Sequence, residues 1–202
     1  LDYTKGIPQR FQAFERLLET RGDLAGKVSL LQIAPPTRSE VAAYRDIRDE
    51  TEQLAGHING RFADVDWTPI RFIHRAVPRE RIAQLFRQAA VGLVTPLADG
   101  MNLVAKEYVA AQDPDDPGVL ILSTFAGAAE QMDAALLVNP YDLDQTAAAL
   151  ATALGMGREE RRARYVALME GLREHDIAWW SRTFLDKLRS VPRWKMDTAT
   201  ED

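Results

Sequence analysis

The chain has 202 residues, of which 46% are hydrophobic and 27% are charged, and it carries a net charge of −5. This composition is typical of a soluble globular protein with a core of its own and a size of about one domain. The acidic balance argues against binding to nucleic acid or to an anionic membrane surface. The absence of cysteine excludes disulfides, thiolate metal sites and thiol catalysis, and it fits a reducing compartment.

Three further features limit the class of protein. His57, His74 and His175 are scattered without metal-ligand spacing, so we expect no metal site. No apolar run approaches the roughly 20 residues of a membrane-spanning helix, and the polar N-terminus does not resemble a signal peptide. We therefore expect a cytoplasmic protein. The first residue is Leu1 rather than Met, which favours a sequence that starts within a longer protein.

Helical and strand patterns alternate along the chain. Apolar residues at helical spacing predict helices over 8–20, 39–58 (opening with a Ser39 cap), 78–88, 101–112, 142–154, 159–173 and 179–189. Short apolar runs predict strands over 27–34, 69–74, 91–95, 119–123 and 134–138, with a short helical turn near 126–131. The alternation predicts an α/β fold with a doubly wound parallel sheet.

The predicted organisation is one Rossmann-like domain over residues 1–192, followed by a disordered tail over 193–202. In a doubly wound sheet, ligands bind outside the carboxyl ends of the strands. Four loops follow predicted strands, and we expect them to converge on one edge of the sheet. These loops are 35–38, 74–77, 96–102 and 123–127.

The segment 96–107 is the most informative part of the sequence. The apolar run 90–95 predicts a buried strand that leads through Asp99 and Gly100 into a helix. A helix start after such a turn presents backbone N–H groups and the positive end of the helix dipole, which suits an anion. Asp99 and Asn102 lie at the mouth of this turn, and Glu107 follows about two helical turns later.

Two interpretations of this segment stay open on the residues alone. Asp is a common helix cap and Gly is common in strand-to-helix turns, so the pattern could be structural and Glu107 could be a solvated residue. Against this, the helix around Glu107 is expected to be buried through its apolar residues Met101, Leu103, Val104 and Val109. A carboxylate in that setting needs partners, and paired sugar hydroxyls suit its two acceptor oxygens.

Other candidates have equally open interpretations. Lys5 stands beside a glycine before a helix and could meet a phosphate, or it could be an ordinary surface lysine. Arg38 follows a proline turn and suits a bidentate phosphate contact, although exposed arginines in turns are common. The small-residue loop 125–130 could admit a ligand or only allow close packing. The mixed charges of 158–164 favour a solvent-exposed helix whose side chains form ion pairs along its surface.

The aromatic pair Trp179 and Trp180 favours packing, against a surface outside the chain, over a cofactor site. The sequence shows no catalytic triad, no paired carboxylates, no dinucleotide fingerprint and no P-loop.

Five segments together resemble the trehalose-6-phosphate synthase family. They are Leu-Asp-Tyr-Thr-Lys-Gly at 1–6 and the segments 32–38, 92–112, 123–129 and 138–142. The resemblance implies a retaining glycosyltransferase of the two-domain GT-B type, with this chain similar only to the C-terminal half that binds the nucleotide sugar. It also implies that the last helices, about 158–190, pack toward an N-terminal domain.

The activity that the resemblance implies is glucose transfer from UDP-glucose to glucose 6-phosphate, giving trehalose 6-phosphate and UDP without a metal or other cofactor. Lys5 then contacts the diphosphate, Asp99 holds a hydroxyl of the donor glucose, and both are catalytic. Glu107 binds the ribose, and Arg38 binds the acceptor phosphate. The backbone near Val77 meets the uracil. The remaining donor contacts come from Gly100, Met101, Asn102, Leu103 and Val104.

An arginine of the family's motif, also on the diphosphate, would stand immediately before Leu1. We therefore expect this chain alone to be inactive. The alternative is a non-catalytic nucleotide-binding or interaction module of a larger assembly, and a homo-oligomer is a further possibility. The sequence leaves open whether UDP-glucose or GDP-glucose is preferred.

Overall fold

The computed structural model describes residues 1–36 and 41–191, and each of its strands runs parallel to its neighbour. β1 (Leu30–Ile33) pairs with β2 (Ile70–Ile73) in a two-stranded sheet. β3 (Val91–Val94), β4 (Val119–Ser123) and β5 (Leu136–Val138) form a three-stranded sheet in that order. Parallel neighbours need crossover connections, and the helices between the strands supply them.

The helices of the described chain lie close to the predicted positions. They are α1 (Ile7–Thr20), α2 (Ala42–Phe62), α3 (Arg79–Gln88), α4 (Leu103–Ala111), α5 (Leu143–Gly155), α6 (Arg158–Glu174) and α7 (Ile177–Ser190). A 3₁₀ helix at Gly127–Gln131 matches the predicted short turn. Two further 3₁₀ helices, Tyr3–Lys5 and Gly22–Leu24, were not predicted, because runs of three residues carry no periodicity.

The central strand β4 shows that the larger sheet is covered on both faces. Val119 and Ile121 are buried in one core, together with apolar residues of α1 and α5. Leu120 and Leu122 point the other way and are buried with residues of α4 and α6. Since successive side chains of a strand alternate between faces, a strand that is buried at every position needs helices on both sides. The predicted doubly wound parallel arrangement is confirmed.

Several predicted boundaries were wrong. β1 begins at Leu30 rather than at residue 27, because the first backbone bond that joins it to its neighbour is from the Leu30 N–H to the Pro69 carbonyl. α2 begins at Ala42 with Val41 at the N-cap position and no side-chain cap. The predicted Ser39 cap is therefore wrong, and Ser39 itself lies outside the described residues.

The C-terminal helix α7 carries a row of exposed apolar side chains. Trp180 and Phe184 stack with ring centroids 5.4 Å apart, yet they are 45% and 53% exposed. Leu185 and Leu188 continue the same surface. The exposure of Trp180 agrees with the predicted packing of Trp179 and Trp180 against a surface outside the chain, and that packing stays a prediction. The predicted tail 193–202 lies outside the described residues.

Candidate functional site

Two of the loops that follow the larger sheet are bonded to each other. The Asp99 N–H donates to the Phe125 carbonyl at 3.2 Å, and the Gly127 N–H donates to the Asp99 carbonyl at 2.9 Å. The Ala128 N–H donates to the Met101 carbonyl at 2.8 Å. The predicted convergence of the loops 96–102 and 123–127 is confirmed, and it gives the turn at Gly100 a rigid support.

The N-terminal segment reaches the same loop. The Leu97 N–H donates to the Thr4 carbonyl at 2.7 Å, and the Asp2 carboxylate accepts from the Thr4 N–H at 2.8 Å, which caps the first 3₁₀ helix. Gly6 then turns the chain into α1 with φ +62, and a Cβ there would lie 2.4 Å from the Thr95 carbonyl oxygen. Only glycine fits this junction. Lys5 is thereby fixed beside the end of β3.

Lys5 and Asp99 form the ion pair at the centre of the site. Lys5 Nζ lies 2.7 Å from Asp99 Oδ2, and Asp99 also accepts from the Asn102 side-chain amide at 3.1 Å. Partial burial pushes the pKa of Asp99 upward, but the hydrogen bond and charge of Lys5 outweigh it and hold that pKa below its ordinary value. The site thus keeps an ionised carboxylate beside the ammonium group of a lysine side chain that is 46% exposed.

Asn102 sets the start of α4. It has φ 72 and ψ 85 in the left-handed region, and its side-chain oxygen accepts from the Ala105 N–H at 3.0 Å. The predicted helix start at residue 101 was wrong because this backbone conformation cannot be part of a right-handed helix. In the described part of the chain, the N–H groups of Leu103 and Val104 have no acceptor. Open N–H groups at a helix start suit an anion, and anion binding at this turn stays a prediction.

The first turn of α4 is apolar and exposed. Met101, Leu103 and Val104 are 42%, 58% and 46% exposed, and of the four apolar residues that were expected to be buried only Val109 is so. The expectation was wrong because α4 packs on the sheet through Ala105, Tyr108 and Val109. Apolar side chains that surround open N–H groups suit a ligand that has both charged and apolar parts.

Glu107 lies on the face of α4 that points away from the sheet. It is four residues from Leu103 and therefore shares that face, and its Oε1 accepts from Arg79 at 3.3 Å. The side chains are 43% and 86% exposed, so this ion pair is a weak surface contact. A groove of about 260 Å³ runs between α3 and α4 with Glu107 and Arg79 among its lining residues.

The remaining predicted site residues stand as follows. Val77 is half-buried in the loop after β2, two residues before Arg79, which bonds Glu107. The uracil contact of Val77 therefore stays a prediction. Gly100 lies at the exposed tip of the turn, and a Cβ there would meet nothing within 4 Å. Arg38 lies outside the described residues, so its predicted phosphate contact stays a prediction too.

Sequence reasoning missed Arg10. Its guanidinium donates to the Thr95 hydroxyl, the Gln32 side-chain oxygen and the Lys5 carbonyl. The signal was present, because Arg10 lies three residues after Ile7 and four before Phe14, on the apolar face of α1. A charged residue on the apolar face of a helix is expected to have polar partners in the folded protein.

The sequence that carries these loops matches a known protein family. The family described as Glycosyltransferase family 20 matches residues 1–190. The chain belongs to this family. A curated relative, the trehalose-6-phosphate synthase of Sodalis glossinidius, is 53% identical over 192 residues. That match covers 95% of this chain and 41% of the relative, so the chain spans about two fifths of the relative's length.

Solved structures agree with this assignment. A UDP-forming α,α-trehalose-phosphate synthase from Burkholderia xenovorans, in complex with glucose-6-phosphate, superposes with a TM-score of 0.90 at 57% identity and covers 93% of this chain and 42% of that one. A trehalose-6-phosphate structure from E. coli bound with UDP-2-fluoro glucose superposes with a TM-score of 0.91 at 49% identity. That match covers 95% of this chain and 43% of the other. The chain therefore has the fold of the corresponding part of a GT-B glycosyltransferase.

Within 1–36 and 41–191, no helix combines the length and the apolar character that crossing a membrane requires.

Proposed function

We propose that this chain is the donor-binding half of an α,α-trehalose-phosphate synthase. The enzyme would transfer glucose with retention from UDP-glucose to glucose 6-phosphate, releasing trehalose 6-phosphate and UDP. The observation that carries the proposal is the Lys5–Asp99 pair at 2.7 Å beside the uncapped N–H groups of α4. Family membership over residues 1–190 supports the same conclusion.

Each part of the site has a role in binding the donor. The Lys5 ammonium and the N–H groups of Leu103 and Val104 suit the diphosphate, because both present positive charge to it. Asp99, ionised and supported by Asn102, is an acceptor for a hydroxyl of the glucose. Glu107, on the outer face of α4, is an acceptor for the two ribose hydroxyls, and Arg79 must then release it.

The chemistry follows from stabilising a leaving group. The bond between glucose C1 and the diphosphate oxygen breaks, a bond from C1 to the acceptor hydroxyl oxygen forms, and the acceptor proton passes to the departing phosphate. Negative charge grows on UDP during this step, so fixed donors at the phosphate stabilise the transition state more than the ground state. We assign this stabilisation to Lys5 and the start of α4, and we propose that no metal is required.

The acceptor and protein partners are also part of the proposal. The two similar structures described as bound to glucose-6-phosphate and to UDP-2-fluoro glucose support these two substrate classes. Arg38 is assigned to the acceptor phosphate. We further propose that the exposed apolar face of α7, which includes Trp180 and Phe184, packs on the remainder of a longer protein, since the chain covers only 41% of its relative.

Calorimetric titration of UDP into the chain tests the donor site. Glu107→Ala should weaken the affinity for UDP by roughly 10- to 100-fold, because hydrogen bonds to a charged group are worth about 1.5–3 kcal/mol. Glu160→Ala is the matched control, since Glu160 also pairs with an arginine, Arg164 at 2.9 Å, on the exposed surface of another helix. That variant should bind UDP as the parent chain does.

Two results would contradict the proposal. One is a folded chain that gives no heat with UDP and no amide shifts over residues 99–107. The other is equal UDP affinity in the Glu107 variant and the control. A parallel titration with GDP, in the presence and absence of a chelator, establishes nucleotide preference and whether binding depends on a metal.

A further inference from the structure

Arg10 joins three separate segments at the edge of the candidate site. Its Nε donates to the Thr95 hydroxyl at 3.1 Å, just after β3, and its Nη1 donates to the Gln32 side-chain oxygen at 2.5 Å, on β1. Its Nη2 donates to the Lys5 carbonyl at 3.0 Å. One planar group therefore ties the first 3₁₀ helix to the ends of two strands that belong to different sheets.

The acceptors around Arg10 are all neutral. Among residues 1–36 and 41–191, the guanidinium has no carboxylate partner, and Thr95 is only 1% exposed. Burial lowers the pKa of Arg10 to about 10, so the group still carries its charge at neutral pH. Removing a cation from water without a counter-ion costs free energy of folding. An arginine in this position is therefore unusual if its side chain only fills space.

The contact with Lys5 is the informative one. The Lys5 side chain is 46% exposed and is held by Asp99 alone among the described side chains, so its backbone must be fixed if its ammonium is to stay in place. Arg10 secures that backbone through its side chain, because its guanidinium bonds the Lys5 carbonyl directly. The Arg10 N–H makes the ordinary first bond of α1, to the Gly6 carbonyl at 3.0 Å.

We propose that Arg10 is a positioning residue, which fixes the Lys5 carbonyl against the ends of β1 and β3 so that the Lys5 ammonium stands beside Asp99. The inference rests on the proposed function, because its purpose is to hold Lys5 ready for a phosphate. The planar fork of arginine serves three acceptors in fixed directions, whereas a lysine at position 10 carries the same charge on a compact ammonium. Geometry and charge can therefore be separated by Arg10→Lys.

The first test needs no nucleotide. The Asp99 carboxylate is titrated by NMR in the parent chain, in Arg10→Lys, in Lys5→Met and in the double variant. Lys5 lowers the pKa of Asp99, so a displaced Lys5 should let that pKa rise toward its ordinary value. We expect the rise in both single variants, and we expect the double variant to match Lys5→Met because Arg10 acts through Lys5.

The second test uses UDP and uridine. Arg10→Lys should weaken the affinity for UDP by about tenfold, which is the size expected for the loss of one charged hydrogen bond. The affinity for uridine should stay unchanged. Arg161→Lys is the control, since Arg161 donates to the Pro117 carbonyl at 2.6 Å and pairs with Asp116 at 2.7 Å, at the opposite end of β4. If Arg10→Lys does not fold, Thr95→Val removes one acceptor and Thr95→Ser restores it.

The outcomes separate this inference from the proposed function. An unchanged Asp99 titration in Arg10→Lys, or losses of UDP affinity that add between Arg10 and Lys5, would overturn the positioning role. A fall in uridine affinity equal to the fall for UDP would overturn it too, because that pattern reports general loosening of the fold. Failure of the parent chain to bind UDP would instead contradict the proposed function, and the Asp99 titration would still decide the role of Arg10.

Discussion

At the scale of single residues, the two glycines of the site are under opposite constraints. A Cβ on Gly127 would lie 2.2 Å from the Gly100 carbonyl oxygen, so the two loops can touch only without a side chain there. A Cβ on Gly100 would meet nothing within 4 Å. Packing within the described chain therefore explains Gly127 but not Gly100. A ligand that approaches the backbone closely would explain Gly100.

The glycine contrast gives a paired prediction. Gly127→Ala should destabilise the chain by about 1–3 kcal/mol, because backbone must move to admit the methyl group. Gly100→Ala should leave stability within about 0.5 kcal/mol, as expected for a surface change, and should weaken binding of UDP-glucose. Urea unfolding and calorimetry measure the two effects. Equal donor affinity in Gly100→Ala and the parent chain would contradict the role given to this turn.

At the scale of elements, α4 combines the proposed anion-binding turn, the proposed ribose acceptor Glu107 and a face that is buried in the core. Its inner face, through Ala105, Tyr108 and Val109, is buried against the sheet. Its first turn and outer face are left for a ligand, with Leu103 58% exposed. The helix can serve both purposes because Asn102 ends the preceding loop in a left-handed conformation and caps the helix. The start of α4 is therefore the element on which the site depends.

Substitutions at Asn102 test this start. Asn102→Ala should cost about 2–3 kcal/mol, since it removes the cap and forces alanine into the left-handed region. Asn102→Gly should cost less than 1 kcal/mol, because glycine adopts φ 72 without strain and is itself a tolerated cap. Urea denaturation of the two variants measures the difference. Equal losses of stability in the two variants would show that the left-handed backbone conformation does not explain the asparagine at position 102.

At the scale of the whole molecule, the chain is a folded unit with one face uncovered. Two cores on opposite sides of β4 account for its stability, and the exposed row on α7 lies outside both. Exposed apolar patches of this kind mark interaction surfaces. The rest of a longer protein is the partner that we proposed for this surface, since the chain spans 41% of its relative.

The corresponding prediction concerns activity. The 202-residue chain, mixed with UDP-glucose and glucose 6-phosphate, should release no UDP above the rate without protein, although it binds UDP. The reason is that, in the proposed function, the chain contributes one half of a two-domain cleft, and catalysis needs both reactants held together. A coupled assay for UDP release measures this, with a full-length relative as the positive control. Steady formation of trehalose 6-phosphate by the chain alone would overturn the prediction.

The sequence by itself determined the order of elements and the segments of the site. The apolar runs at 91–95 and 119–123 identified β3 and β4, because parallel strands that are covered by helices on both faces are nearly continuous in apolar residues. The turn at Asp99 and Gly100 was recognisable because anion-binding helix starts follow a local chemical pattern. These features depend on neighbours in the chain, so they are readable without the fold.

The tertiary structure alone decided which side chains meet and which face of each helix is covered. Lys5 reaches Asp99 across 94 positions, and Arg10 reaches Thr95 across 85, and no local pattern encodes either contact. Leu103 and Val104 are apolar but exposed, because burial depends on where the sheet lies and not on the residue type alone. Contacts between distant segments are set by packing of the whole chain, which is why the ion pair and its support by Arg10 became visible only in the fold.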